Sequence, residues 1–235
     1  MEGYFMEREV IILAASDKYS NSCVGGVDSK TGEWIRLVSS DTTIHCALTS
    51  EMLKCENFEC CSPLDKISVS IIKEVPMGHQ PENLLIDETK KLKKIKRVSL
   101  DDILQVHPVE NGREDVRRFL ENERPYFNSQ EILKIKRSLY LIEVRNLKIY
   151  KNGYNKYKAS FNYLGKDYIN ISMTDPKYKD NDYEYKIAMI MFSLGSEPYE
   201  DGNYYKFVVK VLPLTEEGEL IDKNEILVCE DEFPF

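Results

Sequence analysis

The sequence predicts a mainly β protein built as two small barrels with short helical insertions, and three observations carry that expectation. Short apolar runs with period-two alternation recur along the chain, turn formers separate them, and they gather in two clusters around a charged, partly helical stretch. The 235 residues, 42% of them hydrophobic, suffice for one large domain or two small ones with a sizeable core. The expected division is 1–85 for the first barrel, 86–136 for the charged connection, 137–214 for the second barrel and 215–235 for an acidic C-terminal tail or final strand.

In the first cluster "EVIILAA" (9–15) is an apolar run too short for a comfortable helix and reads as a strand. "SCVGGVDSKTGEWIRLVS" (22–39) places turn formers between two apolar runs and reads as a hairpin. "LDKISVSIIKEVP" alternates Ile67, Val69 and Ile71 with Lys66, Ser68 and Ser70 and stops at Pro76, the period of a half-buried strand. Ser99 before Asp101 and Asp102 is a capped start for a short helix, and "NGREDVRRFLENERP" is a second helical piece ended by Pro125. In the second cluster "SLYLIEVRNLKIYKNG" alternates and turns at Asn152-Gly153, and "YKASFNYLGKDYINISMTDP" forms a hairpin turning at 164–166. "GNYYKFVVKVLPL" is another strand, whereas "EYKIAMIMFSLG" fits either a helix or a buried strand.

Charge and composition narrow the function classes. The net charge is −8, but residues 215–235 hold eight acids against Lys223, which leaves residues 1–214 at −1. Basic residues cluster in "KKLKKIKR" (90–97), read first as a solvated charge run, and are spread through "LKIKRSLYLIEVRNLKIYK". No apolar run approaches the roughly 18 residues of a membrane span, and the start carries acids where a signal peptide carries bases, so a cytoplasmic protein without membrane contact is expected. Six cysteines in a chain of this length make no disulfide framework, and reduced thiols are expected. His45, Cys46, Cys55, Cys60 and Cys61 lack the tight two-residue knuckle of structural zinc sites, so neither metal nor cofactor is expected. With no glycine-rich phosphate loop, no G-x-S-x-G and no H-E-x-x-H, no catalytic residue is nominated and the chain is read as a non-enzyme.

Five stretches in order, "SCVGGVDSKTGEWIRLVS", "LDKISVSIIKEVP" running into "HQPENLLI", "SLYLIEV", "ASFNYLGKDYINISMTDP" and "FSLGSEPYEDGNYYKFVVKV", resemble the dual OB-containing domain family, across about residues 8 to 214. The resemblance implies tandem OB-like barrels and an association with prokaryotic and phage conflict systems. Lys18 alone stands in the loop where the family usually carries basic and glycine residues, and Leu37 replaces a proline common after the Trp-Ile-Arg triplet.

The candidate ligand residues follow. Strand parity puts Trp34 and Arg36 on one face and Ile35 and Leu37 on the other, so if the latter fill the core, the former can stack a base and contact a phosphate. The structural alternative packs Trp34 under a loop or against the second barrel and pairs Arg36 with a carboxylate. His79, Gln80, Glu82 and Asn83 offer donors and acceptors for a base edge or ribose, or equally for holding their own loop. Lys18, Thr174 and Asp175 complete the set, although Asp-Pro is above all a turn signal. Trp34, Arg36, His79, Glu82 and Asn83 are expected beside a cleft between the barrels, with Arg36 at least partly accessible.

Two functions are therefore expected. One is a binding module for single-stranded nucleic acid or a nucleotide-like ligand in a defence setting, supported by fifteen tyrosines and the basic segments. The alternative is a protein-interaction or sensor component of a defence or counter-defence system, with the acidic tail docking a basic partner.

Overall fold

The computed structural model describes residues 6–18, 20–178 and 181–221. Their contacts divide into two units: the residues up to Glu74 together with Leu84–His107, and Val75–Asn83 together with Pro108–Ile221. Residues 86–107 thus lie in the first unit and 108–136 in the second.

The first unit carries β1 (Met6–Lys18), β2 (Asn21–Asp28), β3 (Trp34–Val38), β4 (Asp65–Glu74), β5 (Asn83–Ile86) and β6 (Lys93–Arg97), followed by the helix α1 (Leu100–Val106). The strands lie in the order β1-β2-β3-β5-β4-β6, and β4 also pairs with β1, so five of them return on themselves and β6 is an edge among the described residues. Ile67, Val69 and Ile71 of β4 enter the core with Val10 and Ile12 of β1 and Ile35 and Leu37 of β3, as the alternation predicts. Gly26 lets β2 approach β1 closely: a Cβ there would stand 2.1 Å from the Ile11 carbonyl oxygen. Ser99 caps α1 reciprocally, its Oγ accepting from Asp102 N at 3.1 Å while Asp102 Oδ2 accepts from Ser99 N at 2.9 Å.

The second unit carries α2 (Glu114–Phe119), β7 (Tyr126–Phe127), β8 (Leu139–Lys151), β9 (Tyr157–Tyr163), β10 (Lys166–Met173), β11 (Tyr183–Leu194) and β12 (Tyr204–Leu214). Their order is β10-β9-β8-β11-β12-β7, and a parallel contact of β10 with β12 closes a five-stranded barrel. Counted from their own first strands, both rings repeat one order: first, second, third, fifth, fourth. The ambiguous run 184–195 is strand β11. It is paired to β8 on one side and β12 on the other, with Ala188 to Leu194 buried, so its outward positions stay apolar and the alternation vanishes. Leu164 and Gly165 turn β9 into β10 with φ of 49° and 84°, the pair of positive values a tight hairpin turn requires.

One expectation about the cysteines is corrected. Cys55 and Cys61 form a disulfide, with Cα atoms 6.3 Å apart, because the turn between them brings Cys55 N to the Glu59 carbonyl. Cys23 and Cys46 are free thiols. Among the described residues no helix is long and apolar enough to cross a membrane. The docking and final-strand readings of the tail fall on 222–235, outside the described residues.

Candidate nucleic-acid interface

Within the first unit, Ile35 and Leu37 fill the core and Trp34 and Arg36 take the opposite face, as parity demands. That outer face is only partly open: Trp34 keeps intermediate exposure while its neighbours are buried. Val27, paired with Trp34, is fully buried, and Arg36 is 5% exposed. The expectation of an accessible Arg36 is therefore corrected: alternation decides which residues share a face and says nothing about what covers it. Trp34 meets the His107 ring edge-on, with centroids 4.5 Å apart, and His107 donates from Nδ1 to the Gly32 carbonyl at 2.7 Å. Lys18 donates to the His45 carbonyl at 2.9 Å.

In the second unit His79, Gln80, Glu82 and Asn83 are all buried and engaged with the protein itself. Met77 and Gln80 exchange backbone bonds around Gly78. His79 Nε2 donates to the Gly195 carbonyl at 2.6 Å, and Gln80 Nε2 to that of Leu194 at 2.9 Å. Asn83 Nδ2 donates to Gln80 Oε1 at 3.2 Å, and Glu82 Oε1 accepts from both the amide and the hydroxyl of Ser138. Thr174 donates its backbone N–H to the Val208 carbonyl at 3.0 Å. Asp175 accepts from Val211 N at 3.0 Å and lies 3.6 Å from Lys210, a buried pair. Trp34 and Arg36 belong to the first unit and His79 to Asn83 to the second.

The basic run 90–97 is largely engaged as well. Lys94 lies 3.1 Å from Asp65 and 3.6 Å from Glu59, Arg97 lies 3.4 Å from Asp65, and Lys91 pairs with Glu51. Asp65 on the paired strand β4, with Glu51 and Glu59 from the segment before it, offsets part of what looks in the sequence like a cationic strip.

A different surface meets the requirements for an anionic ligand. Residues 145–173, which span the second half of β8 with β9 and β10, carry six lysines and arginines and one acid, a net of +5 in a chain of −8. Leu147, Ile149, Ala159, Phe161, Tyr163, Tyr168, Ile171 and Met173 point into the core, which turns the intervening polar residues outward. Tyr150, Lys158 and Ser172 stand in one row across the three strands, and Lys148 and Ser160 in the next. Lys158 Nζ donates to Ser172 Oγ at 3.0 Å, and the Tyr150 hydroxyl lies 3.1 Å from Ser160 Oγ and 3.0 Å from Asn170 Oδ1. Partial burial pulls the Lys158 amine below the usual lysine range. Lys148 lies 2.9 Å from Glu184, an exposed pair that holds it weakly. Tyr154, 86% exposed, stands on the loop between β8 and β9. A running charge count registers this surface, at +5 over 29 residues, but peaks more sharply at 90–97, so charge along the chain does not by itself single it out.

Among the described residues no three histidine, cysteine or acidic side chains gather in a way that could hold a metal ion. The repeated ring order, the closed five-stranded barrel and the short helical insertions define a tandem OB-barrel protein. The chain belongs to the dual OB-containing domain family, whose match runs over residues 8–211. No curated protein matches it in sequence. Solved structures similar to it include the Ifi202 HINa domain in complex with 20bp dsDNA, at 11% identity over 86% of this chain and 91% of that chain, with a TM-score of 0.36. The p204 HINb domain is similar at 10% identity over 89% and 100%, with a TM-score of 0.39. The tetrameric p202 HIN2 is similar at 10% identity over 92% and 98%, with a TM-score of 0.38.

Proposed function

We propose that this protein is a non-catalytic binding module whose second barrel holds single-stranded nucleic acid, or a nucleotide-like fragment of one, on the outer face of β8, β9 and β10. The observation that carries the reading is the net +5 of residues 145–173 displayed on one side of a closed barrel. In OB folds the face of the second and third strands and the loop between the first and second bind oligonucleotides, and β9, β10 and the Tyr154 loop are their counterparts here. Lys148 and Lys158 would contact phosphates, Tyr154 would stack a base, and the Tyr150, Ser160 and Asn170 group would meet sugar or base edges. We read the setting as antiviral defence in a prokaryotic cytoplasm, for which the family association is the support.

The test is fluorescence polarisation of labelled single-stranded DNA and RNA across a salt series. The logarithm of affinity should fall linearly with that of salt concentration, and each lysine removed, Lys148→Ala or Lys158→Ala, should flatten the slope by about 0.7. Failure to bind at low salt, or binding indifferent to both substitutions, rejects the proposal.

A further inference from the structure

The second unit also displays an aromatic ladder with the opposite charge setting. Tyr126 and Tyr205 have ring centroids 5.6 Å apart, Tyr205 and Tyr199 are 5.1 Å apart, and Tyr199 and Phe207 are 6.3 Å apart. Arg124 covers the Tyr126 end at 5.3 Å. None of the four rings belongs to the buried core of the barrel, and Tyr199 is 48% exposed. The loops beside them are acidic, while β12, which carries Tyr205 and Phe207, holds only the buried Lys206 and Lys210. Residues 195–203 hold Glu197, Glu200 and Asp201 with no base, and residues 121–124 hold Glu121 and Glu123 against Arg124, which itself pairs with Glu131. The Tyr205 hydroxyl donates to Asp201 Oδ2 at 2.7 Å, a bond that pushes the phenol up to about 12.

We propose that this ladder docks an extended, proline-rich segment of a partner protein that carries arginine or lysine between its prolines. Rows of exposed aromatic rings accept polyproline II helices, which are already ordered before binding and so lose little entropy. Such a helix advances roughly 6 Å every two residues, close to the roughly 7 Å between alternate residues of one strand face such as Tyr205 and Phe207. The carboxylates at 197, 200 and 201 select a cationic partner and repel a phosphate backbone, which separates this surface from the basic face of β8 to β10. The inference is independent of the nucleic-acid reading.

The experiment is a polarisation titration of the full chain with a labelled twelve-residue peptide alternating proline and arginine, at about 50 mM salt, the low end of the range where charge contacts are strong. The comparison peptide replaces every proline with alanine at unchanged charge. Support is tighter binding of the proline peptide by about tenfold or more, a loss of similar size in Tyr199→Ala and in the charge reversal Glu200→Lys, and no change in Lys148→Ala. Tyr199 is exposed enough for its truncation to leave the fold intact, which a thermal melt checks. Equal binding of the two peptides, or none, overturns the proposal. Direct binding of a labelled single-stranded oligonucleotide that is lost in Tyr199→Ala also overturns it and assigns the ladder to nucleic acid.

Discussion

His107 donates from Nδ1 to the carbonyl of Gly32 over 2.7 Å, so the end of α1 holds the tip of the β2–β3 hairpin. Gly32 has φ of 71°, and a Cβ there would stand 2.2 Å from the Val106 carbonyl oxygen. Gly32→Ala therefore meets both a strained backbone and a backbone clash, and should cost about 2–4 kcal/mol. Urea unfolding followed by the emission of Trp34, the chain's single tryptophan, measures it. A loss below 0.5 kcal/mol, the usual size for an indifferent surface change, would show that the tip yields freely.

Lys206 is fully buried, with its Nζ 4.5 Å from the Phe127 ring centroid and 5.4 Å from that of Phe119, and it donates to the carbonyl and side-chain oxygens of Asn122. Burial, helped by Arg124 and opposed by Glu131, pulls its pKa down to about 7. Between pH 7 and 10 the unfolded chain holds a proton here that the folded chain lacks, so stability should rise with pH, by up to about 1.4 kcal/mol per unit. Above pH 10 the trend reverses, because Tyr168 and Tyr205 ionise more easily when unfolded, their folded values being raised to about 12. Unfolding curves from pH 6 to 10 should show the rise in the wild type and a flatter profile in Lys206→Met. Identical profiles would place the amine's proton elsewhere.

Glu82 accepts two bonds from Ser138, and both residues are buried. Glu82→Ala leaves the Ser138 amide without that acceptor and should cost about 1–3 kcal/mol. Oligonucleotide affinity, measured well below the melting temperature, should not move. A stable Glu82→Ala variant with weakened binding would return the 79–83 segment to the ligand site.

Lys158 sits partly desolvated beside Ser172. Its folded pKa is depressed, so at neutral pH the charged amine disfavours the fold, and Lys158→Met should melt slightly higher than the wild type. Its oligonucleotide binding should weaken and become less sensitive to salt. A lower melt with unchanged binding would make Lys158 part of the scaffold.

Much of the architecture was written locally. The alternation of β4, the Ser99 cap and the positive-φ turn at Leu164-Gly165 each depend on neighbours within a few residues, and the order of five short stretches pointed to the dual OB-containing family. Sequence also dictated that Trp34 and Arg36 share a face, because alternate side chains of a strand must. Only the tertiary structure decided that Arg36 is buried while Trp34 keeps part of its surface, that His79 and Gln80 answer carbonyls 116 and 114 residues away, and that carboxylates pair with Lys91, Lys94 and Arg97 of the 90–97 run. Burial and pairing are contacts between segments far apart in the chain, and alternation carries no information about them. The basic face of β8 to β10 lies between the two cases: its charge is a property of the sequence, but its display on one side required the barrel to close and take the apolar partners inward.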